Sequence, residues 1–187
     1  MITFFDKKKE FRCLSNFWEC KVKVVYNGVE REYDSGELCF HGEKYLRLGE
    51  LCGDENRKRV LLEYGRKFVS GGEIKSSKDA KSRGGKGKNG LRLNIEELVL
   101  WNSISVDVQI EICEFKLENY EEVREHLKKS GNCMLIHPAL RCSNEKMIGK
   151  IWEGRMVEGE DGKMVVLGGN KLGEIWMRLR SNLYKTN

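Results

Sequence analysis

The stretch YDSGELCFHGEKYLRLGEL, residues 33–51, places Glu37, His41 and Lys44 at i, i+4 and i+7 among Leu38, Phe40, Tyr45 and Leu48. On an α-helix that spacing stacks the three ionisable groups on one face, with Leu48 continuing the stripe and Phe40 and Tyr45 at its edges. The polar trio therefore turns toward protein rather than open water. Buried charge is costly unless it is paired, so the stripe is either a satisfied ion network or the wall of a cleft. Asp34, Ser35, Gly36 and Glu37 also form a capping-box-like start, with Asp34 at the N-cap and Glu37 reaching back from the first turn. The spacing predicts a helix over about 35–51.

Upstream, KVKVVY, Asn27-Gly28 and VEREY predict two alternating strands joined by a type I′ turn. Downstream, a second helix is expected over about 55–68, followed by a glycine- and lysine-rich loop. Asn94 with Glu97 resembles another capping box, and Ile95, Leu98 and Val99 give its helix an apolar side. The rise in β-branched residues around Trp101-Asn102-Ser103 predicts a break there. A fresh helix then runs through VDVQIEICEFKL, with Val108, Ile112 and Phe115 inward, and Asn119 with Glu122 starts a third that ends near Gly131. CMLIH reads as a short buried strand, RMVEGEDGKMVVL as a hairpin or loop turning at Asp161-Gly162, and KLGEIWMRLRSNL as a terminal helix. Leu172, Ile175, Trp176, Leu179 and Leu183 form the inner side of that helix. The sum is an α+β domain, helix-rich, with a small antiparallel sheet. Regular strand-helix alternation is missing, which argues against a doubly wound α/β fold.

A chain of 187 residues with 40% hydrophobic content is long enough to bury a core without staples, and the single proline and absence of low-complexity runs predict one domain over residues 1–187. No apolar segment reaches membrane-spanning length and the short ITFF run is too brief for a secretory signal, so a cytoplasmic, soluble protein is expected. Seven cysteines without a CxxC pair read as reduced thiols rather than a disulfide framework or a zinc ribbon. Cys39 and His41 lie on opposite faces of the helix, and no metal site or cofactor is expected. The net charge of +5 is concentrated in IKSSKDAKSRGGKGKNGLR, residues 74–92. There Gly84, Gly85 and Gly87 let backbone amides approach an anion while Lys86 and Lys88 supply charge, so the segment is either a phosphate contact or a solvated basic loop. It lacks the Walker signature, and neither an RNP-like strand nor zinc-finger spacing accompanies it.

Several motifs then fall in a familiar order: Ser15-Asn16-Phe17, the Ser35-Gly36-Glu37 helix start with Lys44 seven residues past Glu37, Trp101 ahead of a segment ending in EFKL, Leu135-Ile136, and WEG followed by GGNKLGEIWMRLR. In order and separation they resemble the NADAR superfamily of YbiA-like N-glycosidases, over nearly the whole chain. The resemblance implies cleavage of a ribosyl N-glycosidic bond, either in a small-molecule phosphorylated riboflavin-pathway intermediate or between ADP-ribose and a guanine base of ADP-ribosylated nucleic acid. It also implies that Glu37 and Lys44 are the catalytic acid and lysine. Ser15, Asn16, Phe17, His41, Trp101, Trp152 and Asn170 become candidates for substrate contact, although a tryptophan leading a helix also suits a core and Asn170 also suits a helix cap.

The chain departs from the family pattern in three places. His137 stands where Glu usually follows the strand, Gly149 stands where an Asp usually precedes the W-G loop, and that loop is expanded to Trp152-Glu153-Gly154. Glu145, Glu153 or Asp161 are the acids available to compensate. The departures leave open a degenerate member that binds or sequesters a nucleotide without cleaving it.

Overall fold

The computed structural model describes residues 1–5, 7, 10–85, 89–140, 142–159 and 161–183. In chain order, β1 (Ile2–Thr3) and a 3-10 turn (Arg12–Leu14) precede the strands β2 (Glu19–Tyr26) and β3 (Val29–Ser35). The helices α1 (Gly36–Leu51), α2 (Glu55–Arg66), α3 (Ser77–Gly84), α4 (Ile95–Asn119) and α5 (Glu121–Lys129) follow. β4 (Leu135–Ile136), α6 (Asn144–Ile148), β5 (Arg155–Glu158), β6 (Met164–Leu167) and α7 (Lys171–Leu183) complete the chain. The fold is mixed α+β and helix-rich. Among the described residues the strands form three two-stranded ribbons: β2–β3 and β5–β6 are antiparallel, and β1–β4 is parallel.

The chain packs as two compact units, one formed by residues 16–116 and the other by residues 1–15 with 117–187. In the first, the β2–β3 hairpin turns at Asn27 and Gly28, whose φ values of 50° and 76° are those a type I′ turn requires. Val22, Val24 and Tyr33 present its inner face to a core shared with Leu38, Leu48, Leu61, Phe68, Val108 and Ile112. Each large apolar side chain enclosed there contributes roughly 1.5–3 kcal/mol relative to exposure. α1 runs through the middle of this unit and is buried on several sides, which is why its charged residues are enclosed.

Local chemistry departs from expectation at four points. Ser35, rather than Asp34, caps α1: its Oγ accepts from Leu38 N at 3.2 Å, while Asp34 accepts from Lys21 and Ser70. Residues 74–92 are not a continuous loop, because α3 forms within them. Ser76 accepts from Asp79 N at 3.1 Å and donates its hydroxyl to the Asp79 carboxylate at 2.7 Å, a cap strong enough to start a helix despite the flanking glycines. α4 is unbroken across Trp101-Asn102-Ser103. Ser103 and Ser105 fold their hydroxyls back onto the carbonyls of Leu100 and Asn102, and the helix tolerates them. α5 takes Tyr120 as its N-cap, one residue past Asn119. At the start of α4, by contrast, the reciprocal box forms as read: Asn94 N donates to Glu97 Oε2 and Glu97 N to Asn94 Oδ1, both at 2.8 Å.

In the other unit, β4 is buried and lies against α7, which also packs on α5. Leu172, Ile175, Trp176 and Leu179 form the buried side of α7. Trp176 Nε1 donates to Leu14 O at 2.8 Å, tying the 3-10 turn to that helix. The β5–β6 ribbon turns around Gly162, at φ 74°. No helix among the described residues is long and apolar enough to cross a membrane.

Candidate active site

The i, i+4, i+7 stripe of α1 is an enclosed polar seam. Lys44 is 7% exposed, and its ammonium donates to the carbonyl of Gly84 at the end of α3 while lying 4.6 Å from the centroid of the Tyr45 ring. Burial without a carboxylate bonded to it pushes the lysine pKa down to about 8, with the Glu37 charge opposing the fall. His41 Nε2 lies 3.3 Å from Glu37 Oε1. Desolvation lowers the His41 pKa, the Glu37 carboxylate acting against it, so the imidazole is neutral at neutral pH. A neutral ring that donates Nε2–H to Glu37 leaves Nδ1 as an acceptor, and this buried atom has no hydrogen-bond partner among the described residues. The stripe thus holds a carboxylate, a neutral imidazole and an easily deprotonated amine along one helix face.

α3 covers this face. Ser77 donates to Ser35 Oγ at 2.8 Å, pinning the start of α3 to the start of α1. At its other end the backbone passes so close to His41 that a Cβ on Gly84 would lie 2.2 Å from the ring. That approach brings the Gly84 carbonyl to Lys44. The turn from Asn16 supplies the third side: its carbonyl accepts from Glu37 N at 2.9 Å, and its amide exchanges two hydrogen bonds with Gln109 of α4, at 2.7 and 3.0 Å. Gly36 fits because a Cβ there would lie 2.8 Å from Asn16 Oδ1. Asn16 therefore sets where α1 begins.

Phe17 follows Asn16, with Lys81 Nζ 5.2 Å from its ring centroid, and the Lys81 charge is felt at His41. Trp101 is buried edge-on against Phe40, with ring centroids 5.0 Å apart. Trp152 and Asn170 belong to the other unit, as does Ser15, which is buried. Asn170 adopts φ 44°; its Oδ1 accepts from His137 N at 3.0 Å and its Nδ2 donates to Leu135 O at 2.9 Å, so its amide joins the start of α7 to β4. In that unit Glu145 and Asp161 are exposed, and Glu153 offers its backbone carbonyl to Asn170 N. Lys86 and Lys88 lie outside the described residues.

Sequence reasoning passed over Lys81, read Gly84 only as a glycine of an anion-binding loop, and passed over Ser77 and Gln109. The signal for the first three was Ser76 with Asp79, a serine–acid pair at cap spacing, which sets α3 and hence the register of Lys81 and Gly84. Gln109 carried no local signal, because its partner lies 93 residues away.

A helix-rich α+β fold with a charged central helix behind a β-hairpin defines a YbiA-like class of architecture. Among solved structures, the NMR structure of YbiA from E. coli is similar to this chain with a TM-score of 0.57 and 23% sequence identity, covering 99% of this chain and 85% of that one. The likeness shows the fold. No family model and no curated protein matches the sequence.

Proposed function

We propose that the chain is a hydrolase that cleaves a ribosyl N-glycosidic bond in a phosphorylated, nucleotide-like substrate, a riboflavin-pathway intermediate or ADP-ribosylated guanine. The observation that carries this reading is Lys44, an enclosed amine whose pKa falls to about 8 on the same helix face as Glu37. At pH 7.5 such a lysine is roughly one-quarter neutral, against well under 1% for an ordinary one. The amine attacks ribose C1 as the C1–N bond breaks with its electron pair leaving on the base, and the Glu37 carboxylate takes the proton released by the attacking nitrogen and passes it to the departing base. Opening of the ribose ring gives a Schiff base that water hydrolyses to free sugar and amine. Before it takes that proton the Glu37 carboxylate faces the positive charge that builds on the ribose, and His41 Nε2 holds the carboxylate in place. Lys81, exposed beside Phe17, attracts the substrate phosphate, with Lys86 and Lys88 assigned to the same task.

Borohydride added during turnover of such substrates tests the scheme. A reduced sugar adduct on Lys44, absent from Lys44→Arg, is the expected result, since arginine keeps a cation of similar reach but does not deprotonate to attack. Turnover by Lys44→Arg would exclude covalent catalysis here. The second reading is a protein that binds a nucleotide or ADP-ribose and returns it intact. His137 in place of the resembled family's acid favours it. Intact ligand recovered by mass spectrometry after incubation with the wild type decides for that reading.

A further inference from the structure

Cys13, Glu122 and His126 meet in the unit built from the two end segments, which contains no residue of the α1 stripe. Glu122 and His126 are four residues apart on α5, so they share a face, and Cys13 comes from the 3-10 turn. One ligand atom from each lies within 4.8 Å of the others. The Cys13 Sγ to His126 Nδ1 separation is 3.6 Å. Metal–sulfur and metal–nitrogen bonds of zinc length at a tetrahedral angle put those atoms about 3.6 Å apart.

Both atoms also address one point. The Cys13 thiol donates to the Glu122 carbonyl at 3.7 Å, and His126 Nδ1–H donates to the same oxygen at 2.8 Å. Two donors converging on one carbonyl, beside a carboxylate, mark a spot where positive charge is favoured, and a cation can take the place of the two hydrogens. The supports are firm. Leu14, next to Cys13, is held by Trp176 and by the Phe11 carbonyl, and the Phe11 ring packs edge-on to His126 with centroids 5.0 Å apart. Cys13 is fully buried, whereas His126 is half-buried and leaves a route from solvent.

From this geometry we infer a binding site for a borderline-soft divalent cation of the zinc class, with Cys13, Glu122 and His126 as its three protein ligands and a fourth position for water. A thiolate with an imidazole selects zinc or cobalt over magnesium or calcium, which prefer all-oxygen sets. On entry the Cys13 S–H gives its proton to solvent as the sulfur–metal bond forms. The His126 proton shifts from Nδ1 to Nε2 as Nδ1 donates to the metal.

Cobalt(II) titration of the full, reduced chain tests the site. The expected result is a saturable one-to-one complex with a thiolate-to-cobalt band in the near ultraviolet and visible bands of four-coordinate intensity, all removed by zinc. Cys13→Ser should abolish the near-ultraviolet band and weaken binding about a hundredfold or more, and Glu122→Gln about tenfold, while Cys133→Ser, an exposed thiol outside the cluster, changes nothing. If Cys13→Ser does not fold, His126→Gln carries the same expectation of hundredfold weakening. A folded wild type that shows no saturable band, or a band that persists in folded Cys13→Ser or His126→Gln, overturns the assignment.

Discussion

Two flanks of α1 hold buried charge and treat it in different ways. On one, the Glu43 carboxylate is fully enclosed and accepts from Tyr33 Oη at 2.6 Å, from Arg47 Nε at 2.8 Å and from Arg31 at 3.4 Å. Arg47 continues to Glu111 of α4, and Arg31 to Glu50. Every strong charge there faces an opposite one. On the other flank Lys44 has a neutral carbonyl for its bonded partner and Glu37 has a neutral imidazole. The first arrangement resists a change of protonation; burial and the Glu43 charge even raise the Tyr33 pKa far above its ordinary value. The second makes proton movement cheap. One helix therefore carries a network that fixes structure and a seam in which burial lets Lys44 give up its proton more easily than an ordinary lysine.

Removing the carboxylate from each flank separates the two most widely. If the chain is the proposed glycosidase, Glu37→Gln should slow cleavage by roughly a hundred- to ten-thousand-fold, read as kcat, while thermal stability stays near the wild type. Glu43→Ala should do the reverse. Leaving Arg47 and Arg31 without their shared acceptor costs on the order of 3–5 kcal/mol of folding free energy in a denaturant melt, with activity per folded molecule little changed. If Glu43→Ala instead abolishes activity in a folded protein, the two flanks act as one network.

Gly84→Ala strikes the seam without altering its charges. Its Cβ meets His41 at 2.2 Å, so either the ring or the end of α3 must move. A loss of about 1–3 kcal/mol is expected from the overpacking, together with reduced turnover as the Lys44 contact shifts. The smallest effect is a slope with pH. The unfolded chain holds the Lys44 proton up to about 10.5, the folded chain only up to about 8, so between those values stability gained from this residue rises with pH. Well below pH 8 both states carry the proton and the contribution is constant. Buried Cys20 and Cys39 act with the opposite sign, because burial raises their thiol pKa values and the unfolded chain loses those protons first. The difference in melting temperature between wild type and Lys44→Met across pH 8–10 isolates the lysine; equal slopes would mean that it titrates normally.

What could be read beforehand was chemistry confined to a few neighbouring residues. Asn27-Gly28 specifies its turn by backbone conformation alone, Asn94 with Glu97 closes its box over three residues, and the Glu37–His41–Lys44 spacing follows from helix pitch. α3 escaped because lysine and glycine density outweighed a single serine–aspartate cap. The expected break in α4 overvalued β-branching, since Trp101, Val108 and Ile112 are held by tertiary burial that local propensity does not register. Long-range partners were invisible for a simpler reason. Arg47 and Glu111 are 64 residues apart and Cys13 and His126 are 113 apart, and no periodicity links such positions. Thus the seam was legible as a stripe, but the carbonyl that receives Lys44 and the amide pair that seats Asn16 were not.

The division of the chain also has a consequence during synthesis. All of residues 16–116 are made before most of the other unit, whose first fifteen residues are made earliest and whose remainder comes last. The hairpin, α1 and their core, which includes Val108 and Ile112 of α4, can therefore close once the chain through residue 116 has cleared the ribosomal exit tunnel. Ile2 and Thr3 must wait for Leu135 and Ile136, the strand with which they pair. Nascent chains released from stalls should show protease protection of 16–116 first and of the amino-terminal segment only after α7 has emerged. Simultaneous protection of both would show one cooperative folding event in place of two.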